Sequence, residues 1–392
     1  MFYNFYKTTN AMYIKNIKLL NFRNYANLSL DFDSDKILLT GKNAQGKTNL
    51  LEAICFLSSL KTIKAKQDKE LIKWGETFAQ IKGVFTKNDT ETILETVINP
   101  PKKKLLKVNE IKKNKTSEYL SNIYSVSFST SDLALLRGTP DDRRAWLDEA
   151  VASLYPAHAD RLSKYNKIRI QKNNFLKSLG GNLNGDTTLL DVWNEQLTVT
   201  GSNIILLRIN FLKELLKHAR QKHSHISLKE NLSIKYNSSI IGDIDVEDVS
   251  EYTSARIAEL FQEKLEQKKQ EEIIRVQSVT GPHRDDVSFF IDDVDSKKFA
   301  SQGQQRTIVL ALKLAETELI RTKTGYNAIL LLDDVLAELD DIRQTYLLNG
   351  IEEKHQTIIT SVDTLHFDKR YLENVKIYKI IQNEQGADII PA

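Results

Sequence analysis

The stretch Ile37-Leu38-Leu39-Thr40-Gly41-Lys42-Asn43-Ala44-Gln45-Gly46-Lys47-Thr48 constrains this chain more than any other. An apolar, β-branched run ends in a loop spaced G-x-x-x-x-G-K-T. Asn49-Leu50-Leu51-Glu52-Ala53-Ile54-Cys55-Phe56-Leu57 then supplies helix formers with an apolar stripe. Strand, glycine loop and helix in that order are the context a phosphate-binding loop requires. Gly41 and Gly46 let backbone N–H groups approach phosphate oxygens with no Cβ in the way. The helix that follows points its positive end at the anion. Lys47 has the reach for β- and γ-phosphates, and the Thr48 hydroxyl is suited to Mg²⁺. We therefore expect a nucleotide site over Gly41, Lys42, Asn43, Ala44, Gln45, Gly46, Lys47 and Thr48.

A length of 392 residues exceeds one ordinary core, so two or three domains are expected. A hydrophobic content of 41% with 27% charged residues describes a globular protein, and no apolar run approaches the roughly 20 residues of a spanning helix. Membrane insertion is thereby excluded from the expectation. The first residues lack the apolar region of a secretory signal, and Met12 opens a cleaner strand pattern, so 1–11 is expected to be a mobile extension or the product of an upstream start. One cysteine, Cys55, excludes an intrachain disulfide framework and fits a reducing cytoplasm; its place on the apolar stripe makes it a core residue. A net charge of only +3 means that any nucleic-acid surface must be a local patch. The seven histidines show no metal-ligand spacing, so no zinc site is expected.

Along the chain, Tyr13–Leu19 and Leu28–Phe32 alternate as strands around a turn at Asn21–Tyr25. Phe78–Phe85 and Thr92–Ile98 suggest an antiparallel pair, and Pro100-Pro101-Lys102-Lys103-Lys104 leads into a lysine-rich hairpin. Long helical patterns follow: Ala145–Leu179 with a break at Pro156, Leu189–Lys222 and Ser250–Glu272. Leu232–Tyr236 is a strand set among them. Strand character returns at Val287–Ile291, Ala328–Leu332, Gln356–Ser361 and Val375–Ile381. The expected architecture is an α/β P-loop ATPase head, over 12–127 and 280–392, interrupted by a mainly helical subdomain over 128–279.

Leu330-Leu331-Leu332-Asp333-Asp334 is an apolar run delivering acids to its exposed end. Asp333 is placed to hold Mg²⁺ and Asp334 to orient or deprotonate an attacking water. Two carboxylates there would also serve to cap the next helix. Ser301-Gln302-Gly303-Gln304-Gln305-Arg306 precedes a strong helix pattern over Thr307–Ile320. Read alone it is a serine N-cap; one helix upstream of Leu330–Asp334 it becomes a second anion site, with Ser301, Gly303 and Gln304 at the phosphate.

Together, Gly41–Thr48, Ser301–Gln305, Asp333-Asp334 and Glu338-Leu339-Asp340 resemble the Walker A, signature, Walker B and D-loop set of ABC-type ATPases. Within that superfamily the chain resembles the RecF family of recombination mediators. The resemblance is carried by Asn21–Tyr25, Lys47–Ile54, Arg137-Gly138, Arg143-Arg144, Asp148, Gly281–Asp286 and Leu330–Asp340. It implies weak ATP hydrolysis stimulated by DNA, with Lys47, Asp334 and Ser301 catalytic, Arg23 an added ATP contact, and Thr48 and Asp333 on Mg²⁺. It also implies an ATP-dependent homodimer on double-stranded and gapped DNA, partnered by RecR- and RecO-like mediators, in the cytoplasm at the nucleoid.

Three departures stand out. Ala44 replaces a glycine found in many relatives, which asks that position to avoid strongly positive φ. Ser361-Val362-Asp363 offers no switch histidine, and Phe128–Ser131 no Q-loop glutamine. Lys102, Lys103, Lys104, Lys112 and Lys113 are DNA-binding candidates, although such a run also serves as a solvated hairpin. The competing classes are an ABC transporter subunit and an SMC-like structural ATPase. The first lacks its switch histidine here, and the second would need far longer heptad helices.

Overall fold

The P-loop strand and the acid-bearing strand lie in one buried parallel sheet, and the rest of the first unit packs around it. The computed structural model describes residues 11–62, 67–227, 229–351, 355–365, 367, 369–383 and 386–391. The extension expected over 1–11 falls outside these residues except for Ala11, which bridges to Asn327. The chain divides into two compact units, Met1–Asp132 with Lys313–Ala392, and Leu133–Leu312.

In the first unit, Lys36–Thr40 pairs in parallel with Thr357–Ser361 on one side and with Lys376–Asn383 on the other. Ile329–Asp333 follows beyond Thr357–Ser361, then Ser125–Ser129, and Gly386–Pro391 closes the far edge antiparallel. Residues Ile37–Thr40, Ile329–Asp333 and Thr357–Ser361 are all buried, as strands covered on both faces must be. The register sets Thr40 against Ser361 and Thr360 against Asp333, so all three strands end at one level.

A second six-stranded sheet is antiparallel. Its order is Tyr25–Asp31, Met12–Phe22, Ala79–Lys87, Thr90–Ile98, Leu105–Val108 and Ile111–Lys113. The helix Lys47–Ser59 packs against strands of both sheets, and Leu50 through Ser58 are buried without interruption. Burying each large apolar side chain contributes about 1.5–3 kcal/mol. Leu50, Leu51, Ile54, Phe56 and Leu57 therefore anchor the exit of the P-loop firmly.

In the second unit, Thr139 opens the helix Pro140–Leu154 with a complete capping box, and Thr253 caps Ser254–Arg275. Pro156 separates Pro140–Leu154 from Ala157–Leu179, and Thr188–Ile226 is one unbroken helix. A four-stranded sheet completes the unit, in the order Gly242–Asp245, Leu232–Ser238, Asp286–Ile291, Val294–Asp295. That sheet moves a boundary. Residues 280–312, expected with the ATPase head, belong to the second unit because Asp286–Ile291 pairs along Leu232–Ser238. Among the described residues no helix is long and apolar enough to cross a membrane.

Candidate functional site

The loop Gly41–Gly46 is held from below by residues far away in sequence. Gly46 has φ 113°, and a Cβ there would lie 2.7 Å from Asn24 Nδ2, so only glycine fits. Asn24 Nδ2 donates to the Gln45 carbonyl at 3.0 Å, and Asn49 Nδ2 donates to Asn24 Oδ1 at 2.7 Å. Tyr25 OH donates to the Gly46 carbonyl at 3.0 Å, and burial pushes the phenol pKa up, so it remains a donor. Gln45 Oε1 accepts from Lys42 N at 2.7 Å and closes the loop on itself.

Ala44 departs from expectation. It adopts φ 65°, the left-handed region that its replacement of glycine was read to exclude. An L-residue there costs about 1–2 kcal/mol, which the surrounding ring of loop bonds overrides.

Lys47 is buried, and its Nζ donates to the carbonyls of Gly41 at 2.6 Å and Lys42 at 3.2 Å. The ammonium therefore sits inside the loop. Thr48 Oγ1 donates to Asp333 Oδ1 at 2.7 Å, which joins the P-loop helix to the end of the acid-bearing strand. Thr360, on the strand between them, donates to the same Asp333 oxygen at 3.0 Å and accepts from Asp334 N at 2.9 Å. Asp334 turns the chain with φ 51°. The capping alternative for these acids is not realised: Val335 opens the next short helix without a side-chain cap, and Asp340 caps the one after. Glu338-Leu339-Asp340 therefore ends at a helix start.

Arg23 is held against the P-loop helix. Its Nε donates to Glu52 at 2.8 Å and its NH1 to the Glu70 carbonyl at 2.8 Å, with Glu52 fully buried on the P-loop helix. Ser301 is exposed at the start of the helix Gln302–Thr324. Its Oγ accepts from Gln304 N at 3.2 Å while Gln304 Oε1 accepts from Ser301 N at 2.7 Å, a reciprocal cap. Gln304 Nε2 is tied to Glu230, and Gln305 is gripped by Arg137 at 2.6 Å. Gly303 lies in the same first turn.

Residues 13–388 match the family model described as the RecF/RecN/SMC N-terminal domain. A protein of Bacillus thuringiensis (strain Al Hakam), the DNA replication and repair protein RecF, is 40% identical over 380 residues, covering 96% of this chain and 99% of its own. The chain belongs to the RecF family. The solved recombination mediator protein RecF-ATP of the RecFOR pathway is 31% identical with a TM-score of 0.86, covering 98% of this chain and 99% of that one. The Smc head domain of Pyrococcus furiosus, at 14% identity and TM-score 0.53 over 97% of this chain, shares the fold. This is an ABC-type ATPase fold, and the membrane-transport alternative is not favoured.

The motif residues that carried the RecF resemblance in the second unit build a buried polar network. Arg208 forks onto Asp148, with both nitrogen–oxygen distances 2.8 Å, and donates to the Pro282 carbonyl and to Tyr236 OH. Burial alone would raise Asp148, but the Arg208 guanidinium holds its carboxyl well below the usual range. Arg143 binds Asp286 through two bonds of 2.7 and 2.8 Å. Arg208 gave no sequence signal, since its helix position predicted only amphipathic packing.

On the hairpin, Lys102, Lys103 and Lys112 are exposed and Lys113 is half-buried. Lys104 is drawn inward: it pairs with Asp68 at 3.1 Å and lies 5.2 Å from the centre of the Phe56 ring.

Proposed function

We propose that this RecF-family protein is an ATP-gated clamp on DNA. ATP joins two copies, the dimer holds double-stranded or gapped DNA, and weak hydrolysis, stimulated by DNA, releases it. The observation that carries the reading is the 2.7 Å contact of Thr48 with Asp333 beneath a P-loop that already encloses Lys47. A hydroxyl and a carboxylate converging there are hard oxygen donors. They suit Mg²⁺, which favours one or two carboxylates together with phosphate oxygens and water. Bound there, Mg²⁺ supplies positive charge to the β- and γ-phosphates.

In this reading the amides of Gly41, Lys42, Asn43, Ala44, Gln45 and Gly46 cradle the phosphates, and Lys47 exchanges the loop carbonyls for phosphate oxygens. Asp334 orients and deprotonates the water. Arg23 braces the P-loop helix through Glu52. Ser301, with the amides of Gly303 and Gln304, meets the γ-phosphate held by the partner copy. Lys102, Lys103, Lys112 and Lys113 lie along the DNA backbone, with Lys104 contributing less because Asp68 neutralises it. The pathway named for the solved relative supports RecO- and RecR-like mediators as partners, and a clamp on DNA would act in the cytoplasm, at the nucleoid.

Light scattering with ATP and with ADP, run beside duplex-binding titrations, tests this. Dimers and duplex binding should appear with ATP alone. Monomers under ATP, or equal duplex binding by monomers, would refute the clamp.

A further inference from the structure

Tyr165, Arg169 and Asn173 recur every four residues along Ala157–Leu179 and so share one face. Two of them are anchored on the turn that precedes Asp286–Ile291. Tyr165 OH lies 2.9 Å from His283 Nδ1, and Asn173 Oδ1 accepts from Ser278 N and Oγ at 2.8 Å each. Arg169 stands between these anchors with its Nε shut off from water and lacking a hydrogen-bond partner. Arg284 is exposed, donates to the Ser278 carbonyl at 3.2 Å, and forms no ion pair among the described residues. Arg144 reaches the same turn from Pro140–Leu154 by donating to the Asp285 carbonyl, and pairs with the exposed Asp141.

The carboxylates nearby are already engaged. Asp285 is buried and accepts from Tyr236 and Ser239, Asp286 holds Arg143, and Glu272 holds Lys172 at 2.5 Å. Among the described residues two guanidiniums, Arg169 on the helix and Arg284 on the turn, are left without a counter-ion, and the shape of the turn is fixed. Gly281 sits at φ 127°, where a Cβ would run into the Tyr165 hydroxyl. Burial first, and then Arg169, Arg284 and Arg144, push the His283 pKa down to about 3. The imidazole is therefore neutral, and its Nδ1 shares a hydrogen bond with the Tyr165 hydroxyl, which burial keeps protonated. Three guanidiniums close enough to act on one imidazole, only Arg144 of them answered by an acid, match a phosphate oxyanion.

We infer that Arg169, Arg284 and Arg144, arranged around His283 on the Ser278–Asp285 turn, form a binding site for a phosphate group. Its source is either the nucleic-acid backbone, in which case the site adds a contact to the clamp proposed above, or a free phosphate. Inorganic phosphate and a short DNA duplex, titrated separately, distinguish the two.

The variants are Arg169→Gln, Arg284→Gln and the pair together. Arg284 is exposed, so its variant retains the fold even if Arg169→Gln is perturbed. For the backbone source, each single variant weakens duplex binding several-fold and flattens the log affinity–log salt slope by about 1, with ATP-driven dimerisation unchanged. For the free source, duplex binding is unchanged, but inorganic phosphate raises the imidazole pKa of His283, read by NMR, in the wild type and not in the double variant. If phosphate leaves His283 unmoved and the double variant binds duplex with wild-type affinity and slope, the site does not exist. Should the wild type bind no duplex at all, the DNA reading fails by itself and the phosphate titration alone decides this one.

Discussion

Lys47 spends its ammonium on the carbonyls of Gly41 and Lys42, so the loop stands formed around the group proposed to meet the nucleotide. A compact ammonium fits between two carbonyls 2.6 and 3.2 Å away; a planar guanidinium does not. Lys47→Arg should therefore fold normally yet lose about 10²-fold in turnover, the loss typical of removing one preorganised donor. Steady-state hydrolysis at the wild-type rate would take Lys47 out of the chemistry. Asp334 makes a second test at this scale. Its backbone is fixed by Thr360, so Asp334→Asn should keep nucleotide affinity while single-turnover hydrolysis drops about 10²–10⁴-fold, because an amide accepts no proton. Weakened ATP binding with an unchanged hydrolysis step would assign Asp334 to binding. The left-handed Ala44 shows the limit of arguing from residue type: one strained residue is tolerated where several bonds fix the loop.

At the scale of elements, the parallel sheet explains why the two acids and the P-loop meet. Placing Thr357–Ser361 between the P-loop strand and Ile329–Asp333 puts Thr360 where one hydroxyl serves both Asp333 and Asp334. The P-loop, its helix and the acid-bearing strand were legible because each is a contiguous run with a periodicity of its own. Thr360 and the Asn24–Tyr25 support were not, because their partners lie far off in the chain and strand order is not written in any one segment. Nor was the edge strand Gly386–Pro391, where Gly386-Ala387-Asp388 and the closing Pro391 leave only two adjacent isoleucines and no alternation. Lys104 looked like its neighbours until Asp68 was found folded against it.

The network around Asp148 carries the stability predictions of the second unit. Asp148→Asn leaves Arg208 buried without its carboxylate and should cost about 3–5 kcal/mol in denaturant unfolding of that unit. A loss below 1 kcal/mol would show that Tyr236 and Asp285 suffice for Arg208. The pH dependence follows from His283. Its folded pKa, about 3, lies below the ordinary 6.5, so between those values only the unfolded chain takes up the proton. Its contribution is intact above about pH 6.5 and is lost as pH falls toward 3. Burial lowers His158 and His223 in the same direction. His283→Gln should therefore reduce the loss of stability between pH 7 and 5 without abolishing it. Identical slopes for variant and wild type would contradict the assignment.

At the scale of the whole molecule, the chain is two units, with the P-loop and both acids in one and Ser301 in the other. The helix Gln302–Thr324 crosses the boundary between Leu312 and Lys313. The proposed clamp needs Ser301 of one copy at the P-loop of the next, and C₂ symmetry makes two such composite sites. The γ-phosphate then supplies the difference in affinity that favours the dimer, and hydrolysis removes it. Ser301→Arg should abolish ATP-dependent dimers in light scattering while nucleotide titration of the monomer is little changed. Dimers of that variant under ATP would refute this role for Ser301.

The most direct test mixes two defective chains. Lys47→Ala spoils a P-loop and Ser301→Ala spoils a helix start. In a mixed dimer whose sites are shared between copies, both lesions fall in one site and the other site is whole. We predict that the mixture hydrolyses ATP well above the sum of the two variants measured separately. Activity no greater than that sum, under conditions where light scattering shows the mixed dimers formed, would contradict a nucleotide site completed by the partner copy.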